Sequence, residues 1–127
     1  MKKNENEIVW DEWRQFAFDD LESAKIILKE SDNYHISAYH AHQAVEKTLK
    51  WFLMKSGKKF PFIHDLKELF RLVDRQKAVE NILDDVLYLD NLYPQLRYPT
   101  GEKITLEEAQ KCLVAADKIV NKMIDIT

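Results

Sequence analysis

Helix-breaking residues are scarce in this chain: only 2 glycines and 3 prolines occur among 127 residues. Sheet-rich folds need many tight turns, and such turns depend heavily on these two residue types. The scarcity therefore favours long helices with few connections. The length fits one domain, and 46% hydrophobic with 32% charged residues is an ordinary balance for a globular protein. We expect a single domain over residues 1–127, with its core at about 10–124.

Cysteine and long apolar segments are also lacking. Cys112 is the only cysteine, so an intramolecular disulfide is impossible, and its place in the apolar pattern of the last helix predicts a buried small hydrophobe. Apolar runs such as Trp51–Met54 are far too short to cross a bilayer. The polar stretch Met1–Glu7 is unlike a secretory signal. We expect a cytoplasmic protein without membrane contact.

Motifs for metals and phosphate loops are missing as well. The sequence has no HExxH motif, no cysteine pair and no glycine-rich phosphate loop. His40 and His42 are two residues apart on a predicted helix, so they point in different directions and cannot share a metal. We predict neither a metal nor a cofactor. The formal net charge of -3 argues against a general nucleic-acid-binding surface.

What is present is helical periodicity. Apolar residues recur at three- and four-residue steps in five segments, which predicts an all-α, up-and-down four-helix bundle with an additional short helix. Pro94, Pro99 and Gly101 predict a loop over residues 95–103. Thr105 and Glu108 have the spacing of a capping box. The five predicted helices cover about 10–30, 34–56, a short segment from His64 or Asp65, 77–92 and 105–124.

The second predicted helix carries a polar strip beside its apolar stripe. Polar groups next to an apolar face are partly desolvated and must bond to one another. The alternative is an exposed i,i+4 pair between Glu46 and Lys50 that stabilises the helix surface. The strip consists of Tyr39, His42, Gln43, Glu46 and Lys50.

Two further features suggest an anion site. No acid occurs between Glu46 and Asp65, a stretch that contains Lys47 and Lys50 and three more lysines. This stretch is either a solvated lysine face or an anion-binding surface. Arg97 lies in the predicted loop between two prolines, where a guanidinium suits a phosphate or carboxylate. The alternative is that Arg97 ties this loop to an acid such as Glu46.

Several short segments follow one another in a recognisable order from about Trp13 to Lys122. They are Asp20-Leu21-Glu22-Ser23-Ala24, then Tyr34 leading into Ala38 and Ala41, Gln43-Ala44-Val45-Glu46-Lys47, Leu49-Lys50, Pro61 with His64-Asp65-Leu66, Tyr93 with Arg97-Tyr98-Pro99, and Glu108-Ala109 with Ala116. In their order and spacing these segments resemble the HEPN domain family, the nucleotide-binding domain of higher eukaryotes and prokaryotes.

The resemblance implies a helical bundle that forms homodimers. It also implies, for a prokaryotic member, a partner protein of the minimal nucleotidyltransferase type in a toxin-antitoxin pair. Many HEPN toxins are metal-independent ribonucleases that use an arginine followed, after four to six residues, by a histidine. Here Glu102, Lys103 and Ile104 stand in those positions after Arg97. The ribonuclease motif is therefore absent, which favours a non-catalytic protein.

The sequence thus predicts an accessory HEPN protein that binds a nucleotide, an RNA or a nucleotidyltransferase. Arg97 grips the phosphate in this hypothesis. The other site residues predicted are Tyr98, His64, Glu46, Lys47 and Lys50. Two alternatives remain open: a ribonuclease toxin that uses His64 with Arg97, and a structural dimerisation module without a ligand.

Overall fold

The computed structural model describes residues 5–60 and 65–127 of the chain. Within these ranges the secondary structure is entirely helical, as predicted. α1 begins earlier than the expected residue 10. The helices are α1 (Glu5–Glu30), α2 (Tyr34–Lys55), α3 (Leu66–Gln76), α4 (Leu83–Arg97) and α5 (Leu106–Asp125).

α2 is the central helix, because it contacts each of the other four. Its predicted apolar stripe is buried along its whole length, and so is most of its final apolar segment, including Leu53. The inward residues of α5 meet this stripe, and Cys112 is fully buried among them as predicted. The stripe consists of Ala38, Ala41, Val45, Leu49 and Phe52.

The helix ends follow their local sequence signals. Gly57 has a φ of 73°, a backbone region that favours glycine, and it ends α2. The Lys58 amide then donates to the Leu53 carbonyl at 2.9 Å, which satisfies one of the last free acceptors of α2. Thr105 and Glu108 form the predicted capping box at the start of α5.

The predicted bounds of the fourth helix were wrong at both ends. α4 starts at Leu83 rather than residue 77, because Asn81 has a φ of 67° and a left-handed residue interrupts a right-handed helix. α4 also continues through Pro94 to Arg97, so Arg97 is not in a loop. Leu96 is buried and its carbonyl lies 2.6 Å from His35 Nε2. This contact to α2 stabilises the last turn of α4 beyond the proline.

None of the helices within the described ranges combines the length and apolar character needed to span a lipid bilayer.

Candidate functional site

The polar strip on α2 lies inside the protein. The relative exposure is 0% for His42, 3% for Glu46 and 5% for Lys50. The Lys50 Nζ atom donates to Glu46 Oε2 at 3.2 Å. Both charges of this ion pair are thus removed from water, and each offsets the cost of burying the other. The alternative of an exposed surface pair was therefore wrong, and the expectation of a desolvated strip is confirmed.

Lys50 is enclosed by aromatic rings as well as by its carboxylate. Its Nζ atom lies 5.7 Å from the ring centroid of Trp13 on α1 and 5.7 Å from that of Phe60. An ammonium within about 6 Å of a ring face is attracted by the ring. The ammonium of Lys50 is thus engaged by groups of the protein itself.

Lys47 is engaged in the same way on the neighbouring side of α2. Its Nζ atom lies 2.5 Å from Asp20 Oδ2 and 5.9 Å from the ring centroid of Phe16. The other oxygen of Asp20, Oδ1, lies 2.9 Å from His40 Nδ1. Asp20 therefore joins α1 to two side chains of α2, and Lys47 contributes to the packing of these helices.

Arg97 has a different environment, because it is exposed on the last turn of α4. Its Nη1 atom donates to the Tyr39 hydroxyl at 3.2 Å. Within the described ranges no carboxylate oxygen lies within 4.0 Å of its guanidinium. The alternative in which Arg97 is ion-paired with Glu46 is therefore wrong. The guanidinium is positioned by a phenol and keeps its charge available.

Tyr93 connects this arginine to the buried strip. The Tyr93 ring lies 4.4 Å from the His42 ring between centroids, with 32° between the planes. Burial raises the pKa of Tyr93, the nearby Arg97 guanidinium opposes that rise, and Glu46 adds to it. The pKa of Arg97 is itself raised, first by Tyr93 and then by Tyr39 and Tyr98. Three phenols thus surround the guanidinium.

A cleft with a volume of about 550 Å³ opens beside Arg97. One wall is the start of α2 and the other is the end of α4 with the following loop. Tyr98, with 61% of its surface exposed, stands at this cleft as an aromatic face open to solvent. The lining residues are 32–36, Gln95 and 97–104.

The predicted site residues therefore separate into groups. Arg97 and Tyr98 line the cleft. Glu46 is buried, and both its charge and that of Arg97 act on the pKa of Tyr93. Lys47 and Lys50 are held by acids and rings of the interior. The assignment of these two lysines to an anion site is not supported by their contacts.

His64 lies outside the described residues. The distance between His64 and Arg97 is therefore not defined, and the ribonuclease alternative stays a prediction from the sequence. Cleavage of single-stranded RNA that disappears in both His64→Ala and Arg97→Ala is the result this alternative requires. Cleavage that survives both substitutions removes it.

Sequence reasoning did not assign a site role to three aromatic or imidazole side chains next to Arg97. Tyr39 belonged to the polar strip, and its hydroxyl accepts a hydrogen bond from Arg97, while Tyr93 is near enough to raise the pKa of Arg97. His35 lines the cleft and bonds to the end of α4. The three-residue step from Tyr39 to His42 placed Tyr39 on the strip, but only the packing of α4 against α2 shows that Arg97 meets it.

Comparison with known proteins places the chain in a family. A family model described as the HEPN domain matches residues 10–126. The chain belongs to the HEPN domain family, as its sequence motifs indicated.

Individual relatives agree with this assignment. The chain is 30% identical over 126 residues to MJ1304 of Methanocaldococcus jannaschii, a protein named as a candidate toxin, covering 86% of this chain and 82% of that one. It is similar in structure to TT1696 from Thermus thermophilus, with a TM-score of 0.78, 26% identity and coverage of 93% and 98% of the two chains. It also resembles the HEPN domain protein TM0613 from Thermotoga maritima, with a TM-score of 0.69, 26% identity and coverage of 91% and 96%.

Proposed function

We propose that this HEPN protein binds a nucleotide, with Arg97 gripping the phosphate at the mouth of the cleft. The observation that carries this proposal is the environment of the Arg97 side chain. Its guanidinium is exposed, hydrogen-bonded to a tyrosine hydroxyl, and without a carboxylate within 4.0 Å among the described residues. A guanidinium in this state has donors left for the oxygens of a phosphate.

The surroundings of Arg97 suit the remainder of a nucleotide. Tyr98 presents an exposed ring on which a base can stack, and stacking on aromatic rings tolerates every base. The cleft volume of about 550 Å³ falls within the range of small-molecule sites. The charged residues that line the cleft with Arg97 are Asp32, Glu102 and Lys103, and Arg97 is the cation whose position is set by Tyr39.

Titration calorimetry with AMP and ATP tests this function. Arg97→Ala should weaken binding about tenfold to a hundredfold, the contribution of hydrogen bonds to a charged group. Arg75→Ala is the matched control, because Arg75 is an exposed arginine in the last turn of α3. Equal affinity of the wild type and Arg97→Ala, or no heat with either nucleotide, contradicts the proposal.

A toxin-like role is the second candidate, and the likeness to MJ1304 favours it. We propose that the protein acts as a homodimer paired with a minimal nucleotidyltransferase. Expression alone should slow the growth of a bacterial host, and co-expression of a nucleotidyltransferase encoded beside it should restore growth. Unchanged growth on expression, together with a failure of the two proteins to co-purify, contradicts this role.

A further inference from the structure

A second groove runs along the contact between α4 and α5, and the proposed nucleotide site does not use it. Its volume is about 450 Å³, and it shares no lining residue with the cleft described above. Its α4 side is formed by Asp84, Asp85 and Tyr88. Its α5 side extends from Glu107 to Ala115, roughly 12 Å along the helix axis. This α4–α5 groove is therefore long enough for two turns of a third helix.

The α4–α5 groove includes apolar surface that is open to solvent. Val114 is 69% exposed, although Ala115 beside it is buried. Tyr88 adds a half-buried aromatic ring from the opposite helix. Covering such surface with the apolar side chain of a partner removes it from water, which is favourable. The groove thus offers a hydrophobic contact to a ligand.

The charged residues of the α4–α5 groove are mostly acidic. Three carboxylates line it, those of Asp84, Asp85 and Glu107, against the single ammonium of Lys111. The Lys118 Nζ atom lies 3.1 Å from Asp85 Oδ2. Among the residues that the structure describes, no basic group lies within 4.0 Å of the carboxylates of Asp84 and Glu107. One unpaired carboxylate on each helix is therefore available to a cationic ligand.

The ammonium in the lining is already engaged by the groove itself. The Lys111 Nζ atom lies 4.9 Å from the centroid of the Tyr88 ring, a distance at which the ring attracts a cation. Burial raises the pKa of the Tyr88 phenol, and acidic groups that include Glu108 and Glu107 add to the rise. Negative charge thus prevails around the ring. A phosphate, which suits the cleft beside α2, is repelled here.

We propose that the α4–α5 groove binds a basic amphipathic helix of a partner protein. An apolar side chain of that helix rests on Val114 and the Tyr88 ring, and lysine or arginine residues on either side of it pair with Asp84 and Glu107. Charge complementarity selects this occupant, because it supplies both the apolar contact and a cation for each helix of the groove. The inference is independent of the proposed nucleotide binding, since it uses no residue of the cleft.

Two designed peptides of about 20 residues test this surface, a length at which an isolated helix can form in water. Both carry leucine at three- and four-residue steps, and the flanking positions hold lysine in one peptide and glutamate in the other. In an amide NMR titration of the full chain, the lysine peptide should shift residues 83–88 and 107–115, and the glutamate peptide should not. Shifts by the lysine peptide that lie elsewhere, or no shifts at all, overturn the proposal.

Charge reversal in the groove measures the contribution of its carboxylates. The double variant Asp84→Lys, Glu107→Lys should weaken binding of the lysine peptide about tenfold, because two attractions become repulsions. The matched control is Glu12→Lys, Glu22→Lys, which changes the net charge equally at two exposed acids of α1 and should leave the affinity within about twofold. Equal losses in the two double variants mean unspecific attraction to an acidic protein and overturn the proposal.

The apolar contact has a separate test in Val114→Gln. This substitution should weaken binding of the lysine peptide about threefold, the effect of part of one apolar side chain. The exposure of Val114 and the good helix propensity of glutamine predict that the fold is retained, and urea unfolding checks this for every variant. An unchanged affinity in Val114→Gln contradicts docking of an apolar side chain in the groove.

Other occupants of the groove give different results. If a second copy of this chain covers it, the protein without peptide sediments as an oligomer that dissociates in Asp84→Lys, Glu107→Lys. If the groove takes a small cation, spermidine at the concentration of the lysine peptide produces the same shift changes. Either result overturns the proposal. The expected results are an oligomeric state that the substitutions leave unchanged and amides that spermidine does not shift.

Discussion

Two regions along α2 differ in the groups that surround their cationic side chains. In the closed region, consisting of Glu46, Lys47 and Lys50 with their partners on α1, each ammonium meets a carboxylate and at least one aromatic ring. In the open region, consisting of Tyr39, Arg97, Tyr98 and the cleft, the guanidinium meets a phenol and solvent. The lysines stabilise the bundle, and the arginine remains available to a ligand.

The difference shows that tertiary partners decide whether a basic residue can bind an anion. The acid-free stretch after Glu46 looked like an anion surface, yet Asp20 from α1 neutralises Lys47, and Glu46 itself neutralises Lys50. The desolvation of a buried ion is already offset by its partner, and an outside anion would have to displace that partner. For Lys47 and Lys50, charge counted along the sequence does not reveal these carboxylate partners.

The largest expected effect comes from Lys50. Lys50→Met leaves Glu46 buried with one cation fewer, so the free energy of unfolding should fall by roughly 3–5 kcal/mol. Arg97→Met removes an exposed cation without a carboxylate partner and should change stability by less than about 0.5 kcal/mol. Urea unfolding of the two variants measures both values. Equal losses in the two variants would remove the distinction between the closed and the open region.

The next effect concerns Cys112, which lies deep in the core. Burial raises the pKa of this thiol from 9.0 to about 12. The unfolded chain releases the thiol proton above its ordinary pKa while the folded chain retains it, so stability falls as pH rises from 9.0 towards about 12. Between pH 8 and pH 10 this group should lower the free energy of unfolding by about 1.4 kcal/mol.

Cys112→Ala isolates this contribution, because the substitution removes the thiol and keeps a small apolar side chain. Urea unfolding at both pH values should show a smaller pH-dependent loss in the variant than in the wild type. Identical losses would mean that the thiol titrates normally in the folded protein and that this part of the core is open to water.

The smallest expected effect is at the edge of the cleft. The Thr105 side chain accepts a hydrogen bond from the Glu108 amide at 3.1 Å, directly after the loop that lines the cleft. Thr105→Ala should lower stability by about 1 kcal/mol, the usual cost of losing such a cap. Thermal unfolding measures the change, and Thr105→Ser, which keeps the hydroxyl, is the control. A loss as large in Thr105→Ser as in Thr105→Ala would contradict the role of the hydroxyl.

Most of the fold could be predicted from the sequence because its signals are local. The three- and four-residue spacing of apolar residues predicted the buried face of α2, and Gly57 predicted where this helix ends. Thr105 and Glu108 predicted the start of α5. The bounds of α4 could not be predicted this way. Pro94 is a local signal for ending a helix, whereas the contact between His35 and Leu96 that stabilises the final turn comes from 61 residues away in the chain.

The candidate site was only partly predictable for the same reason. Arg97 was identified by its residue type, but its environment depends on Tyr39, which lies 58 residues earlier. The pairing of Asp20 with His40 joins two helices and has no short motif. A seven-residue step from His40 to Lys47 places both on one face of α2, and that spacing is the signal that could have suggested a shared partner.

The most direct measurement of the central claim is a two-dimensional amide NMR titration of the full chain with AMP. If the open region is available to a ligand, the changes in amide chemical shift should be concentrated at residues 32–39 and 95–104. The amides around Lys47 and Lys50 should change little. These changes should disappear in Arg97→Ala and persist in Arg75→Ala. Shift changes centred on Lys47 and Lys50, with residues 95–104 unmoved, would contradict the account.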